Sequence, residues 1–545
     1  MVSFLKGMVV CPQPIAAEGG VKVLRKGGNA IDAAVTAAFI QGVVDPTMCG
    51  IGGFGQINLY MAKSGEQKVI EFHARAGSKV RPDMWTDKVI LQFRDGFGYL
   101  IEGDVNDIGY QSVMVPGTVA GLYEALVRFG TISWRSAIKP AIKLAREGFK
   151  VYRELAEGWR SKPLPPRRVS FLMRLKATEA SRKIYTKNGR LYDVGDILIQ
   201  KDMAETLTKI SEEGPEVFYN GEVAEKISKD FELNDGFITY SDLTDFKLNV
   251  IDPLRTTYRG FEITSIPAPG GGVTLLEILN ILEGYDLQSY DWAGLGSDIA
   301  EYIHILAMAM RASHYDRAIY IGDPEFVDVP TSKIISKEWA EAWREKVESG
   351  EKIEIPRFTR PEHPSTTHIC VVDCEGNVAS LTHTLGYCSG VVTPGLGFLY
   401  NNAMCNFDPI PNHPNSIAPG KRRVTQMAPT IVYRDGEPFL VLGAPGGGRI
   451  VDALAQTIIN VIDHGMRPME AVSAPRISCT SEIIDLSARI PEYICSKLRE
   501  MGESICRFPQ SYAPFAAVQA ILIDRENGKV YGGSDPRRGG AVLST

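Results

Sequence analysis

TTHICVVDCEGNVASLTHTLG, residues 366–386, reads as two short runs of strand joined by a turn. His368, Cys370 and Val372 alternate with Ile369 and Val371, and Val378–Thr384 forms the second run. Glu375-Gly376-Asn377 supplies turn chemistry between them. A hairpin centred near Glu375 places Thr384 opposite Thr366, directly or one residue off. Two hydroxyls then meet at the mouth of a sheet. A threonine hydroxyl is a poor nucleophile until a base takes its proton. If the peptide bond before Thr366 is cut, the freed α-amine is such a base, tied within reach of its own Oγ. Its reference pKa of about 8 leaves a useful neutral fraction at physiological pH. The second threonine can hydrogen-bond the nucleophile and hold its rotamer. An ordinary threonine-rich edge hairpin carries the same pattern, so this segment alone leaves both readings open.

Immediately upstream, GEKIEIPRFTRPEHPS (residues 350–365) is the sharpest composition break in the chain, rich in proline and charge, and reads as an exposed linker. Downstream, LGAPGGGR (residues 442–449) precedes a helix in which Ile450, Leu454, Ile458 and Val461 share a face. Consecutive glycines at a helix start offer unobstructed N–H groups to a phosphate or an oxyanion. The loop lacks the Gly-Lys-Ser/Thr of a phosphate-binding P-loop, which disfavours a nucleotide. Nearer the N-terminus, GGNAIDAAVTAAFIQGVV (residues 27–44) predicts a helix capped by Asn29, with Asp32 in its first turn and an apolar stripe of Ile31, Val35, Ala38 and Phe39. Cys49–Gly53 is a glycine-rich turn into the strand-like QINLYM. Residues from about 130 to 255 read as a charged, solvated helical subdomain. Two apolar helices follow, one after the glycines of PAPGGG (residues 267–272) and one within residues 298–322. The order of strands and helices is mixed, not a regular βαβ alternation.

Composition excludes several classes. A chain of 545 residues can bury a large core, and length alone suggests two to four domains. With 44% hydrophobic and 23% charged residues it is ordinary for a soluble globular protein. A net charge of −6 and the lack of a basic run argue against a nucleic-acid partner. The opening residues, MVSFLKGMVVCPQP, lack the apolar core of a signal peptide, and no run approaches the ~20 apolar residues of a membrane span. A cytoplasmic protein without a membrane partner is expected. Nine scattered cysteines, an odd number, do not read as a disulfide framework. Cys370 and Cys374 lie near His363, His368 and His383, but the spacing is not that of a zinc knuckle. Neither a metal nor a cofactor is expected.

Taken together, the segments resemble the γ-glutamyltranspeptidase family of N-terminal-nucleophile hydrolases. GGNAIDAA, CGIGGFG, VPGTVAGL (Val115–Leu122), YRGFEI (Tyr258–Ile263), DR with IGDPEFVDVP (Asp316–Pro330), TTH…VVD…GN, NN-x-M (Asn401–Met404), APT and PGG-x-R-I appear in that order along nearly the whole chain. The resemblance implies an α+β fold, a four-layer αββα sandwich forming one intertwined unit. It implies self-cleavage between Ser365 and Thr366 into a large subunit, 1–365, and a small one, 366–545, that stay together as a heterodimer. Thr366 would form the acyl-enzyme with its own α-amine as general base. Thr384 matches the family's supporting threonine, Gly446 and Gly447 its oxyanion-hole glycines, and Asn406–Arg422 its lid loop.

The substrate-binding pattern departs from the family. The position of its arginine for the substrate α-carboxylate holds His73, with Arg75 two residues on as a substitute. The usual Leu-Asn after the second threonine is Leu385-Gly386. The Gln and Asp that hold the substrate ammonium are Ala403 and Asn406, and the paired serines are Thr425 and Gln426. A buried ammonium without an anionic partner costs several kcal/mol. The expectation is therefore an amidohydrolase for a small amide lacking glutamate's free α-amino group. A carboxylate or carbonyl near the scissile bond would be read by Arg75, His73, Gln426 or Arg423, and water would be the acyl acceptor. A true γ-glutamyltransferase with a rearranged pocket and an inert scaffold retaining the fold are the competing readings.

Overall fold

The computed structural model describes residues 6–93, 98–163, 167–292, 294–296, 298–356, 366–511 and 515–545. Two sheets lie face to face at its centre. Their strands, in chain order, are β1 (Met8–Cys11), β2 (Phe54–Met61), β3 (Glu66–Phe72), β4 (Asn249–Ile251), β5 (Leu254–Tyr258), β6 (Phe261–Ser265), β7 (Thr367–Val372), β8 (Val378–Thr384), β9 (Thr430–Arg434), β10 (Glu437–Gly443), β11 (Gln519–Asp524), β12 (Lys529–Ser534) and β13 (Ala541–Ser544). One sheet runs β4-β3-β2-β8-β7-β1-β13, the other β5-β6-β9-β10-β11-β12.

The quoted hairpin is β7–β8, at the middle of the first sheet. Its two-residue alternation sorts side chains between two cores. Cys370, Val372 and Val378 enter the layer between the sheets with Val10, Ile431, Val441 and Ile521. Ile369, Val371, Ala379 and Leu381 face the outer helices α1 (Pro14–Arg25) and α2 (Ala30–Val44). A third core covers the outer face of the second sheet with α3 (Gly272–Leu282), α4 (Ile299–Tyr320) and α5 (Ile450–Ile462). The result is an αββα sandwich. Because β7 and β8 lie between β1 and β2, segments on both sides of Thr366 build one sheet, and the length-based division into several domains does not hold.

Two local readings change. In α2 Asn29 caps the helix as expected and Asp32 completes a capping box by accepting from the Asn29 amide, but every residue of the helix is buried rather than one stripe. Asp32 also accepts from the Thr131 and Ile132 amides, tying the helix start to a neighbouring loop. The helical stretch expected up to about residue 255 ends earlier, at Thr244. Residues 249–251 and 254–258 then extend the edges of the two sheets, because Asn249–Ile251 pairs with Val69–Glu71 and Leu254–Tyr258 pairs with Phe261–Ser265.

Among the described residues no helix is long and apolar enough to cross a membrane. Nor do three His, Cys, Asp or Glu side chains converge as metal ligands there. Cys370 instead hydrogen-bonds the carbonyls of Val441 and Gln519 across the sandwich, and all nine cysteines are thiols. His363 and Ser365 lie outside the described residues.

Candidate active site

The hairpin pairs Thr367 with His383 and Val372 with Val378. Carried one residue further, that register sets Thr366 opposite Thr384. The Thr366 hydroxyl donates to the Thr384 oxygen at 3.3 Å, and the Gly386 amide donates to the same oxygen at 2.8 Å. Both threonines are buried. A hydroxyl that accepts two hydrogen bonds still has its own proton to give. If Thr366 loses its proton, the Thr384 hydrogen can turn toward the resulting oxygen.

Thr366 and Thr384 open onto a cleft of about 420 Å³, including its mouth. Gly447 forms part of the far wall. Its φ of +57° is a left-handed conformation that a side chain would strain. Gly446, the residue before it, is not among the cleft's described lining residues, and a Cβ there would lie 2.1 Å from the Ala516 Cβ. The glycines are thus required by backbone conformation and by packing, and they lead through a 3₁₀ turn into α5. That arrangement can bring N–H groups to a developing oxyanion.

Of the six residues expected to read the substrate, four line the cleft: Asn406, Arg423, Thr425 and Gln426. Arg423 lies over the Phe54 ring with its guanidinium carbon 5.0 Å from the centroid, and donates to the Val424 carbonyl. Burial pushes its guanidinium down to about 10, which leaves it charged at neutral pH. The Thr425 hydroxyl accepts from the Met427 amide, and the Gln426 amide is oriented to accept from Arg317 Nε at 3.0 Å. The Gln426 side-chain oxygen is therefore engaged on the protein.

His73 and Arg75 do not line the cleft. His73 stacks on Phe54 with ring centroids 4.8 Å apart, and its Nδ1 lies 3.0 Å from the Ala74 carbonyl oxygen. Burial, reinforced by the Arg423 charge, pushes its imidazole well below the usual histidine range. It is neutral at pH 7 and brings no positive charge to a carboxylate. Arg75 is held by Glu325 in a bidentate pair, both N···O distances 2.9 Å, and also donates to the Gly420 carbonyl. That pair anchors the end of the 406–422 loop. Arg422 strengthens the anchor through Asp323 and Glu71, and His413 binds Asp408 at 2.7 Å within the loop.

Arg167, Arg174 and Asp107 are contributors that the sequence did not reveal. Arg167 lines the cleft from the helical region, sandwiched between the rings of Phe93 and Tyr387 at 4.6 and 4.5 Å. It shares Asp107 with Arg174, and the two guanidinium groups hold that carboxyl below its ordinary range despite burial. Asn402 closes the cluster by donating to Asp107 and accepting from the Tyr387 amide. Its oxygen also packs against Gly386, where φ is +68° and a Cβ would lie 2.2 Å from Asn402 Oδ1. The NN-x-M motif at Asn401–Met404 includes Asn402 but gives no sign of Arg167, Arg174 or Asp107.

A profile of the gamma-glutamyltranspeptidase family matches residues 16–545. The glutathione hydrolase proenzyme of Bacillus subtilis (strain 168) is 35% identical over 98% of this chain and 91% of its own length. The acylase ACY 1 proenzyme of Pseudomonas sp. (strain V22) is 36% identical over 93% and 88%. Among solved structures, the cephalosporin acylase of Bacillus halodurans superposes with a TM-score of 0.86 at 28% identity, covering 99% of this chain and 95% of that one.

Proposed function

Because the chain belongs to the gamma-glutamyltranspeptidase family of amide-cleaving proenzymes, we propose that it is a self-processed threonine amidohydrolase whose acyl substrate carries an anionic group and no α-ammonium. One observation carries the substrate reading. Arg167 and Arg423 both line the cleft that holds Thr366, and no aspartate or glutamate is among its described lining residues. A buried ammonium needs an anionic partner; a carboxylate entering the same cleft meets the Arg423 guanidinium and, on the same lining, Arg167, whose charge is already shared with Asp107. The acylases among the relatives and solved structures are in keeping with this reading.

Processing begins with attack of the Thr366 oxygen on the Ser365 carbonyl. The peptide C–N bond breaks, leaving Ser365 esterified to the Thr366 oxygen, and water hydrolyses that ester. This leaves residues 1–365 and 366–545 as a heterodimer with a free α-amine on Thr366. In turnover that amine accepts the hydroxyl proton as Oγ1 attacks the substrate carbonyl. The tetrahedral oxyanion is stabilised by the Gly446–Gly447 turn. The proton then passes to the departing amine, which leaves the acyl group esterified to Thr366. Water attacks the ester with the same amine as base, releasing a carboxylic acid and restoring the hydroxyl.

The γ-glutamyl reading is favoured by the name of the family and by the glutathione hydrolases among the relatives, those of Bacillus subtilis and Escherichia coli included. The two are separated by comparing glutaryl and γ-glutamyl anilides on the processed protein. Comparable or higher kcat/KM on the glutaryl compound is expected. A strong preference for the γ-glutamyl compound would establish the other reading.

A further inference from the structure

Beneath the Thr366–Thr384 pair, the next pair of the hairpin enters a buried polar chain that the reaction just described does not use. Gln41, on α2, donates through Nε2 to the Thr367 hydroxyl at 3.0 Å and to Gln13 Oε1 at 2.6 Å. Its own oxygen lies 2.8 Å from His383 Nε2. The Thr367 hydroxyl donates to Gln13 Oε1 at 3.1 Å, and Gln13 Nε2 donates to Asp45 Oδ2 at 2.7 Å. All five side chains are buried.

The direction of every bond follows from Asp45. Burial raises this carboxyl, while the Arg538 charge and the Gln13 hydrogen bond favour its ionised form. As a carboxylate it accepts from the Gln13 nitrogen, which leaves the Gln13 oxygen to Gln41 and Thr367. Gln41 must then present its nitrogen to Gln13 and Thr367, and its oxygen to His383. Burial pushes His383 down to about 3, so it is neutral and gives Gln41 its Nε2 hydrogen. Each glutamine is left a single orientation.

Gln13, Gln41 and Asp45 precede the proposed cleavage point, whereas Thr367 and His383 follow it. Cutting before Thr366 makes that residue a chain terminus, and termini lose order unless they are tied down. Near an amide bond, a displacement of about 1 Å can cost on the order of a hundredfold in rate. We infer that Gln13 and Gln41 are positioning residues, which grip the second residue of the new N-terminus and its cross-strand partner so that Thr366 stays in register after processing. The inference rests on Thr366 being the nucleophile.

The test uses Thr367→Val, which keeps the shape and β-branching of the side chain but removes its hydroxyl, with Thr367→Ser to restore the hydroxyl and Gln41→Leu as a second disruption. Thr366→Ala reports separately on the underlying mechanism. In processed protein, Thr367→Val is expected to lower kcat at least tenfold with KM within about twofold. Thr367→Ser is expected to recover most of the rate. Gln41→Leu, if folded, should follow Thr367→Val. Unaltered kcat in folded, processed Thr367→Val, or equal losses in the Val and Ser variants, would overturn the inference. If Thr366→Ala is cut or active, the nucleophile assignment itself fails. If it is uncut and inactive while Thr367→Val turns over normally, only the positioning role is lost.

Discussion

At the scale of residues, charge decides what the cleft accepts. Arg423 is held over Phe54 and Arg167 between Phe93 and Tyr387, so neither guanidinium swings freely and little side-chain entropy remains to be lost on binding. A charge-assisted hydrogen bond is worth about 1.5–3 kcal/mol, or roughly ten- to a hundredfold in kcat/KM. Arg423→Met is therefore expected to lower kcat/KM for a glutaryl amide by that factor, mainly through KM, while leaving processing intact. Steady-state kinetics on the processed variant check it, and an unchanged kcat/KM would remove Arg423 from substrate recognition. Arg75, with the same chemistry, has no such role here because it does not line the cleft and is paired with Glu325.

At the scale of elements, α2 shows why a sequence pattern can be right in kind and incomplete in detail. The Asn29 cap, with Asp32 in the first turn, was legible because capping is a local matter of side chains reaching backbone amides three residues away. The surroundings of the helix were not legible, since its other faces are covered by distant segments. Asn29 Nδ2, for example, donates to the Phe129 carbonyl at 2.6 Å. Asn29→Ala is expected to destabilise the uncut Thr366→Ala chain by about 1 kcal/mol or somewhat more. A urea midpoint equal to that of the parent would mean that the cap contributes nothing. The β7–β8 hairpin was the best-read element: its turn is local and bounds the register to within one residue, and the pairing of Thr367 with His383 fixes it.

At the scale of the whole molecule, burial of imidazoles links stability to pH. His368 lies between the sheets, with Nδ1 2.8 Å from the Thr382 hydroxyl, and burial pushes it down to about 3. In the unfolded chain its pKa is near 6.5, so between these values the unfolded state binds the extra proton. The stabilisation is complete above about pH 6.5 and is lost as pH falls toward 3, at about 1.4 kcal/mol per pH unit. His368→Gln removes this uptake. Denaturant unfolding of the uncut chain at pH 7, 6 and 5 should show a dependence shallower by about that amount than in the parent. Equal slopes would show that His368 protonates within the folded protein.

By itself the sequence determined the hairpin, its register to within one residue, the capped helix, the glycine turn and, through their order along the chain, the family. Each of these is written in neighbouring residues, or in motifs whose succession is specific. Only the tertiary structure decided what surrounds Thr366. Arg167 reaches the cleft from nearly 200 positions upstream, Glu325 claims Arg75, and Gln13 and Gln41 meet Thr367 and His383 across the proposed cut. Such encounters depend on how sheets and helices stack, because a charged side chain takes its role from the partner that reaches it. Spacing along the chain does not record that partner.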